Sequence, residues 1–255
     1  MRNGSANNGQ SSAKAVVNSH DMKLATIRGH TFLVDPLGAN AVVVDLGAHK
    51  GEFSRELNRR YGCQCHMVEA LPDLHAQLIE ANGLRKCHGA MTGTDGPVTL
   101  FVSENPEANS IINGMADNKA ITVDGMTLDT FMAKAGLNKV DLLKVDIEGA
   151  EIGLLESASE RALAGISQIS VEFHDFFPGC VDPARVEGVK SRLRRIGFLD
   201  LVFSHRVNTD VLFINSSQLD ISRLELLHLK YVTKYLRGLA RMIRRRWGGG
   251  RMTAG

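Results

Sequence analysis

From about residue 41 to residue 215 the chain alternates short β-branched runs with segments of helical spacing, and that order leaves few folds open. Ala41–Leu46 (AVVVDL) is a β-branched run between turn residues, the pattern of a strand buried on both faces. Residues 51–61 then show helical spacing, with Phe53 and Leu57 apolar among charges. Cys65–Glu69 reads as a second strand, and residues 72–81 as a second helix with proline at its start. The same logic gives strands at 84–90, 98–102, 140–145 and 166–173, and helices at 128–135, 151–163 and 183–196. Two strands, 198–203 and 211–215, close the body without a helix between them. This is an α/β chain: a mostly parallel sheet between two helical layers, with an antiparallel pair at one edge.

The domain organisation follows from composition at the two ends. Residues 1–20 are rich in Asn, Gly, Ser and Gln and read as a flexible arm, so the folded body is 21–218. The formal net charge of +2 conceals a strong asymmetry. Eight of the 30 Lys and Arg residues lie in 230–255, which has no Asp or Glu. The other 22 face all 28 acidic residues, so residues 1–229 carry −6. An acidic body gives no support for a nucleic-acid substrate.

Residues 219–255 form the basic tail, helical over 224–247. Its apolar side takes Leu224, Tyr231, Val232, Tyr235, Leu236, Leu239, Met242, Ile243 and Trp247; Lys230, Lys234, Arg237, Arg241, Arg244 and Arg245 fall opposite. Such a helix packs on the body, lies on an anionic membrane surface, or binds nucleic acid or a protein partner. No run of 18 apolar residues is present, and the N-terminus has no secretory pattern. Cys63, Cys65, Cys87 and Cys180 make neither zinc-type pairs nor a disulfide framework. The expectation is a cytoplasmic protein, peripheral at a membrane if the tail engages lipid.

The sharpest local signal is VVVDLGAHKGEFS, Val42–Ser54. Gly47 and Gly51 flank a tight turn from the first strand into the first helix, where open α/β sheets bind ligands. Glu69 ends the next strand, where a carboxylate can accept both hydroxyls of an adenosine ribose. Asp45, just before the turn, can bind a loop amide or a water on the ligand. The alternative is a purely structural turn. The spacing lacks the middle glycine of a dinucleotide site and the Gly-Lys-Ser/Thr of a phosphate loop. A ligand with a ribose, a sulfonium and no phosphate, S-adenosylmethionine, suits it better.

These residues, with MVEALP (67–72), ITVDGMTLDTF (121–131), LLKVDIEGAE (142–151) and VEFH (171–174), resemble the FkbM family of S-adenosylmethionine-dependent methyltransferases. The resemblance runs from Ala41 to His174 and more loosely to Asn215. It implies a seven-stranded class I methyltransferase fold and O-methylation of a sugar, glycan or natural-product hydroxyl. On the family pattern Asp45, Gly47, Ala48 and Gly51 match the cofactor loop and Glu69 the ribose carboxylate. His49 stands where asparagine is more usual. Ala90 and Met91 fall where such folds line the adenine.

Beyond the later strands lie Asp146, Glu148 and Glu151 in VDIEGAE and His174 in VEFHD. Asp146 can orient the amino group of the cofactor or hold a substrate hydroxyl, and Glu148 can do likewise. Glu151 fits a first-turn acid that favours the helix dipole. His174, at the end of a central strand, is placed to act as a general base, to hydrogen-bond the ligands or to be structural. The expected catalytic group is His174, Asp146 and Glu148, with no metal. A divalent-ion variant using Asp146, Glu148, Glu172, His174 and Asp175 stays open. Residues 102–114, with Asn109 and Ser110, read as a substrate-facing loop or a plain solvent loop. A non-catalytic scaffold on the same fold is the competing reading of function.

Overall fold

The computed structural model describes residues 22–102, 119–174, 183–204, 208–219, 221, 224–225 and 228–233. Its centre is a seven-stranded sheet built from β3 (Val42–Leu46), β4 (Gln64–Glu69), β5 (Leu84–His88), β9 (Leu142–Val145), β10 (Gln168–Val171), β11 (Phe198–Val202) and β12 (Val211–Asn215). The strand order is β11-β12-β10-β9-β3-β4-β5. Pairing is parallel from β5 through β10, and β12 runs antiparallel to both β10 and β11. The expected antiparallel edge pair is there, and its origin is the single reversed strand β12, reached from β11 without a helical crossover. Strand order reverses between β3 and β9, which puts the end of β3 at the point where α/β sheets open a ligand crevice.

Six α-helices among the described residues accompany the sheet: α1 (Glu52–Tyr61), α2 (Pro72–Gln77), α3 (Leu128–Ala135), α4 (Glu151–Ser157), α5 (Glu160–Ala164) and α6 (Pro183–Ile196). Helix α1 lies between two left-handed glycines, Gly51 and Gly62, and buries Phe53, Ser54 and Leu57. The 151–163 segment, read from its periodicity as one helix, is two. Ala158 turns extended with ψ 134°, and Ser159 starts α5 by accepting the Ala162 N–H at 3.1 Å. The 84–90 strand also divides, at Gly89. Gly89 has φ +154°, and an added Cβ there would lie 2.4 Å from the Met126 methyl, so the chain leaves β5 in a conformation that favours glycine.

After Gly89, β6 (Ala90–Met91) joins a separate three-stranded sheet with β7 (Gly96–Val102) and β8 (Lys119–Met126). Strand β8, with Asp124 and Gly125 inside it, carries no clear strand signature. Nor did the pattern reveal the hairpin of β1 (Leu24–Ile27) and β2 (His30–Leu33), whose strands are four residues each and whose turn is Arg28-Gly29. The hairpin is tied to the sheet by side chains. Gln168 accepts from the Leu33 N–H at 2.8 Å and donates to its carbonyl at 3.0 Å, and Asp210 accepts from Thr31 N–H and Oγ1 at 3.0 and 2.7 Å.

Apolar clusters fill both sides of the sheet. One joins β9, β10 and β12 to α3–α6, and the other packs α1 and the hairpin on β3 and β4. The tail departs from its expected pattern within the described residues. Leu229 is buried with Leu33, Leu201 and Leu212 in a π-helical turn, His228–Thr233, whereas Leu224 and Tyr231 are 78% and 55% exposed. The rest of the segment expected as a basic helix, from residue 234, lies outside the described residues, as do residues 1–20 and 103–118. No helix among the described residues is long and apolar enough to cross a membrane.

Candidate active site

A cleft of about 350 Å³ opens at the carboxyl ends of β3, β4, β5 and β9, within the range of small-molecule sites. Gly47–Lys50 form one side, Glu69–Leu71 and Gly89–Met91 another, and Asp146–Glu148 a third. Of the residues the sequence singled out, Gly47, Ala48, His49, Glu69, Ala90, Met91, Asp146 and Glu148 all line the cleft.

The β3–α1 turn is shaped by backbone contacts. Gly47 and Ala48 donate to the Val68 carbonyl, both at 3.0 Å, and Gly51 donates to Ala48 at 2.7 Å. Gly47 has φ +75°, and an added Cβ would lie 1.8 Å from the Asp146 carbonyl oxygen. Its small size serves the approach of the β9 end to the turn, a different reason from access for a ligand. Gly51 does not line the cleft: its Cβ would press on Leu78 and Met67 at 3.0 Å. His49 adopts φ +51°, and its N–H donates to Glu69 Oε2 at 2.7 Å. Glu69 Oε1 accepts from Leu71 N–H at 2.9 Å. Each carboxylate oxygen keeps a lone pair beyond those bonds. Burial pushes the Glu69 carboxyl up, opposed by the two amides.

Asp45 lies behind the turn, fully buried and outside the cleft wall. Its Oδ2 accepts from Ser54 at 2.7 Å, and its Oδ1 faces the Lys144 ammonium at 3.1 Å. The expected contact of Asp45 with a ligand is replaced by a contact with Lys144. Lys144 is the residue the sequence reading passed over inside its most specific motif. Projecting from β9, its ammonium donates to the Gly47 carbonyl at 2.8 Å and lies 3.5 Å from Asp146 Oδ2. Burial opposes its charge, and Asp45 and Asp146 more than offset that, raising it above the ordinary lysine value. A second unforeseen member is His30, from β2. It is 1% exposed, 3.4 Å from Asp146 Oδ2 and edge-on to Phe53. His30 belongs to no motif, and only the hairpin's docking brings it here.

Burial pushes the Asp146 carboxyl up, but the Lys144 charge and the His30 bond prevail and hold it well below the usual carboxylate range. Glu148, with φ +53°, stands 3.2 Å from His174 Nε2. His174 Nδ1 is 2.8 Å from Glu151 Oε1. Glu151 is 1% exposed and also accepts from the Ile147 and Gly149 amides at 3.0–3.1 Å. It therefore does more than complement a helix dipole: it ties the β9–α4 turn to the end of β10.

Burial disfavours charge on His174, but Glu151, then Glu148 and Asp146, outweigh it and raise the imidazole to about 9. His174 is thus protonated at neutral pH, is 5% exposed and does not line the cleft. The structure brings His174 against Glu148 and Glu151 and leaves it behind the cleft wall. Two trios, Asp146-Glu148-His174 and His30-Asp146-Glu172, place possible ligand atoms within 4.8 Å of one another. Asp175 lies outside the described residues.

Residues 45–198, more than half of the chain, match the methyltransferase FkbM domain. The chain belongs to the FkbM methyltransferase family. A 71-residue stretch of this FkbM-family protein is 38% identical to the AMB antimetabolite synthetase AmbE of Pseudomonas aeruginosa. That match covers 28% of the chain and 3% of AmbE, so the chain spans only a small fraction of this curated relative. Among solved structures, a TehB-like SAM-dependent methyltransferase from Corynebacterium glutamicum is 13% identical with a TM-score of 0.38, over 69% of this chain and 80% of that one. The N-terminal domain of EvdMO1 with SAH bound is 13% identical with a TM-score of 0.37, over 68% and 72%. The FkbM match begins at Asp45 and so leaves the β1–β2 hairpin, with His30, outside it.

Proposed function

We propose that this FkbM-family methyltransferase binds S-adenosylmethionine in the cleft and transfers its methyl group to a hydroxyl of a sugar, glycan or natural product. The observation that carries the reading is the pairing of the Gly47–Gly51 turn with Glu69 across one cleft. The residues suit the cofactor. The Glu69 carboxylate is held by two amides with lone pairs left for a ribose diol, and buried Ala90 and Met91 offer an apolar wall to a purine. Asp146, kept ionised by Lys144, offers a negative partner for an ammonium.

When bound, S-adenosylmethionine supplies an electrophilic sulfonium methyl. The protein's part is positioning and charge. Lys144 holds the turn and Asp146 in one geometry, and Glu69 with the 48–50 backbone fixes one end of the cleft. Asp146 and Glu148 face the space where an acceptor hydroxyl would enter.

Titration calorimetry with S-adenosylmethionine tests the cofactor, and S-adenosylhomocysteine release with a panel of glycans and nucleotide sugars tests the acceptor. Saturable cofactor binding and turnover with a hydroxyl acceptor are expected. Failure of the wild-type chain to bind S-adenosylmethionine would overturn the reading.

A further inference from the structure

S-adenosylmethionine presents a purine, a ribose diol, an α-ammonium and an α-carboxylate. Ala90 with Met91, Glu69 and Asp146 suit the first three. The carboxylate needs a cation, because Glu69, Asp146 and Glu148 already set negative charge in the walls of the cleft. Among the described residues, lysine and arginine reach that lining at Arg28, Lys50 and Lys144. Lys144 is committed elsewhere: its ammonium is buried against Asp45, Asp146 and the Gly47 carbonyl. Lys50 carries a compact ammonium on an exposed stem, and no described ion pair orients it.

Arg28 is placed differently. It sits at the tip of the β1–β2 hairpin with φ +50°, followed by Gly29 at φ +87°. Such a two-residue turn ordinarily takes asparagine and glycine, so turn geometry does not account for an arginine there. Its guanidinium meets Glu52 Oε2 at 2.8 Å, which sets it beside the start of α1 and the glycine turn. Both side chains are well exposed, at 63% and 42%, and such a pair is weak enough to be shared with a ligand. One carboxylate leaves most of the five guanidinium N–H donors for another. The N-terminus of α1 has no side-chain cap, and its dipole favours an anion as well. The same hairpin carries His30, 3.4 Å from Asp146 Oδ2, so its docking brings Arg28 and Asp146 to one chamber.

We infer that Arg28 binds the α-carboxylate of S-adenosylmethionine, through the planar two-point contact a guanidinium makes with a carboxylate, while Asp146 takes the ammonium. This rests on the methyl-transfer reading above. Ammonium and carboxylate hang on one carbon of the ligand, so their partners must flank a single point. The hairpin meets that demand, because His30 fixes it against Asp146 and Arg28 extends from its tip. The hairpin is then a cofactor-binding element, although it precedes the segment that matches the family. Recognition is divided: Glu69 holds the adenosyl end from the sheet, and Arg28 holds the amino-acid end from the hairpin.

The test compares, by titration calorimetry on the full-length chain, S-adenosylmethionine and its decarboxylated analogue, which lacks only the carboxylate. The variant is Arg28→Asn, because asparagine suits the turn and removes the guanidinium. Arg28→Asn should bind S-adenosylmethionine about 10–100-fold more weakly, and the decarboxylated analogue no more weakly than wild type does. Arg28→Lys should recover part of the loss, since it restores the charge without the two-point geometry. Lys50→Gln should change either affinity by no more than about threefold. Wild-type affinity for S-adenosylmethionine in Arg28→Asn would overturn the inference. An equal loss of both ligands would overturn it too, since the hairpin tip would then shape the cleft without touching the carboxylate. A loss confined to S-adenosylmethionine in Lys50→Gln, with Arg28→Asn unaffected, would move the contact to Lys50 and sink the assignment. In each of these cases the wild type still binds and the methyl-transfer reading stands. Failure of the wild type to bind either ligand would refute that reading, and the inference with it.

Discussion

The ammonium of Lys144 donates to the carbonyl of Gly47 at 2.8 Å, so a buried side chain on one central strand fastens the turn that follows its neighbour. The same ammonium answers Asp45 at 3.1 Å. Removing it strands a buried carboxylate. Lys144→Met should cost about 3–5 kcal/mol in urea unfolding. Combining it with Asp45→Asn should recover part of that loss, because the second change removes the stranded charge. A fully additive double variant would show that the two residues are not coupled.

Gly47 and Gly136 both have left-handed backbones, yet they predict opposite tolerances. Alanine at 47 would place a Cβ 1.8 Å from a backbone oxygen, whereas nothing lies within 4 Å of a Cβ at 136. Gly136→Ala should cost about 1–2 kcal/mol. Gly47→Ala should lose more than about 4 kcal/mol or fail to fold. Equal melting temperatures for the two variants would contradict this.

Glu69→Gln keeps the side chain's size and removes its charge. S-adenosylmethionine affinity should fall about 10–100-fold, the equivalent of one charged hydrogen bond, read by calorimetry. Wild-type affinity in the variant would remove Glu69 from the ribose site.

Stability should be greatest in mildly acidic solution. Asp146, depressed below its ordinary 3.8 in the fold, contributes stability above that pH and loses it as pH falls through its folded value. Glu148, raised by burial from 4.5 to about 7, binds its proton more tightly when folded, so stability declines as pH rises across that window. His174, raised from 6.5 to about 9, adds stability that is complete below 6.5 and gone above 9. A shift of that size corresponds to about 3 kcal/mol. Thermal unfolding should therefore show a decline from pH 5 to pH 9, and His174→Gln should flatten its upper half.

Gln168 spans the gap between hairpin and sheet with two hydrogen bonds to Leu33. Gln168→Met leaves both backbone groups buried and unpaired. The variant should lose about 2–4 kcal/mol, and amide exchange should accelerate across 24–33 before the central strands respond. Uniform acceleration along the chain would show that the hairpin does not open separately.

How much of this was legible beforehand depended on range. The central strands announced themselves because VVVDL and LLKVD are buried on both faces and need no partner to be recognised. The glycine turn and Glu69 were legible because one strand and its neighbour fix their relation. His30 was not, since 116 residues separate it from Asp146 and nothing local marks a four-residue strand as a wall of the cleft. Lys144 was overlooked because a lysine inside a strand looks like an intrusion until its two carboxylates and a carbonyl are seen around it. For His174 the place beyond a central strand was legible and its partners were not. Its position follows from the strand, but its charge follows from Glu151, which the local pattern had assigned to a helix start.

Arg28, at the tip of the hairpin, lines the cleft and pairs with Glu52 on the first helix at 2.8 Å, and His30 touches Asp146 from the same hairpin. Both residues precede position 45, where the family match starts. A boundary drawn by sequence similarity therefore cuts through the lining of this cleft. A fragment trimmed to 45–198 would keep the glycine turn, Glu69 and the Asp146–Glu151 run but lose the hairpin wall, the first three residues of β3 and all of β12, so inactivity in such a fragment would report on the trimming and not on the enzyme.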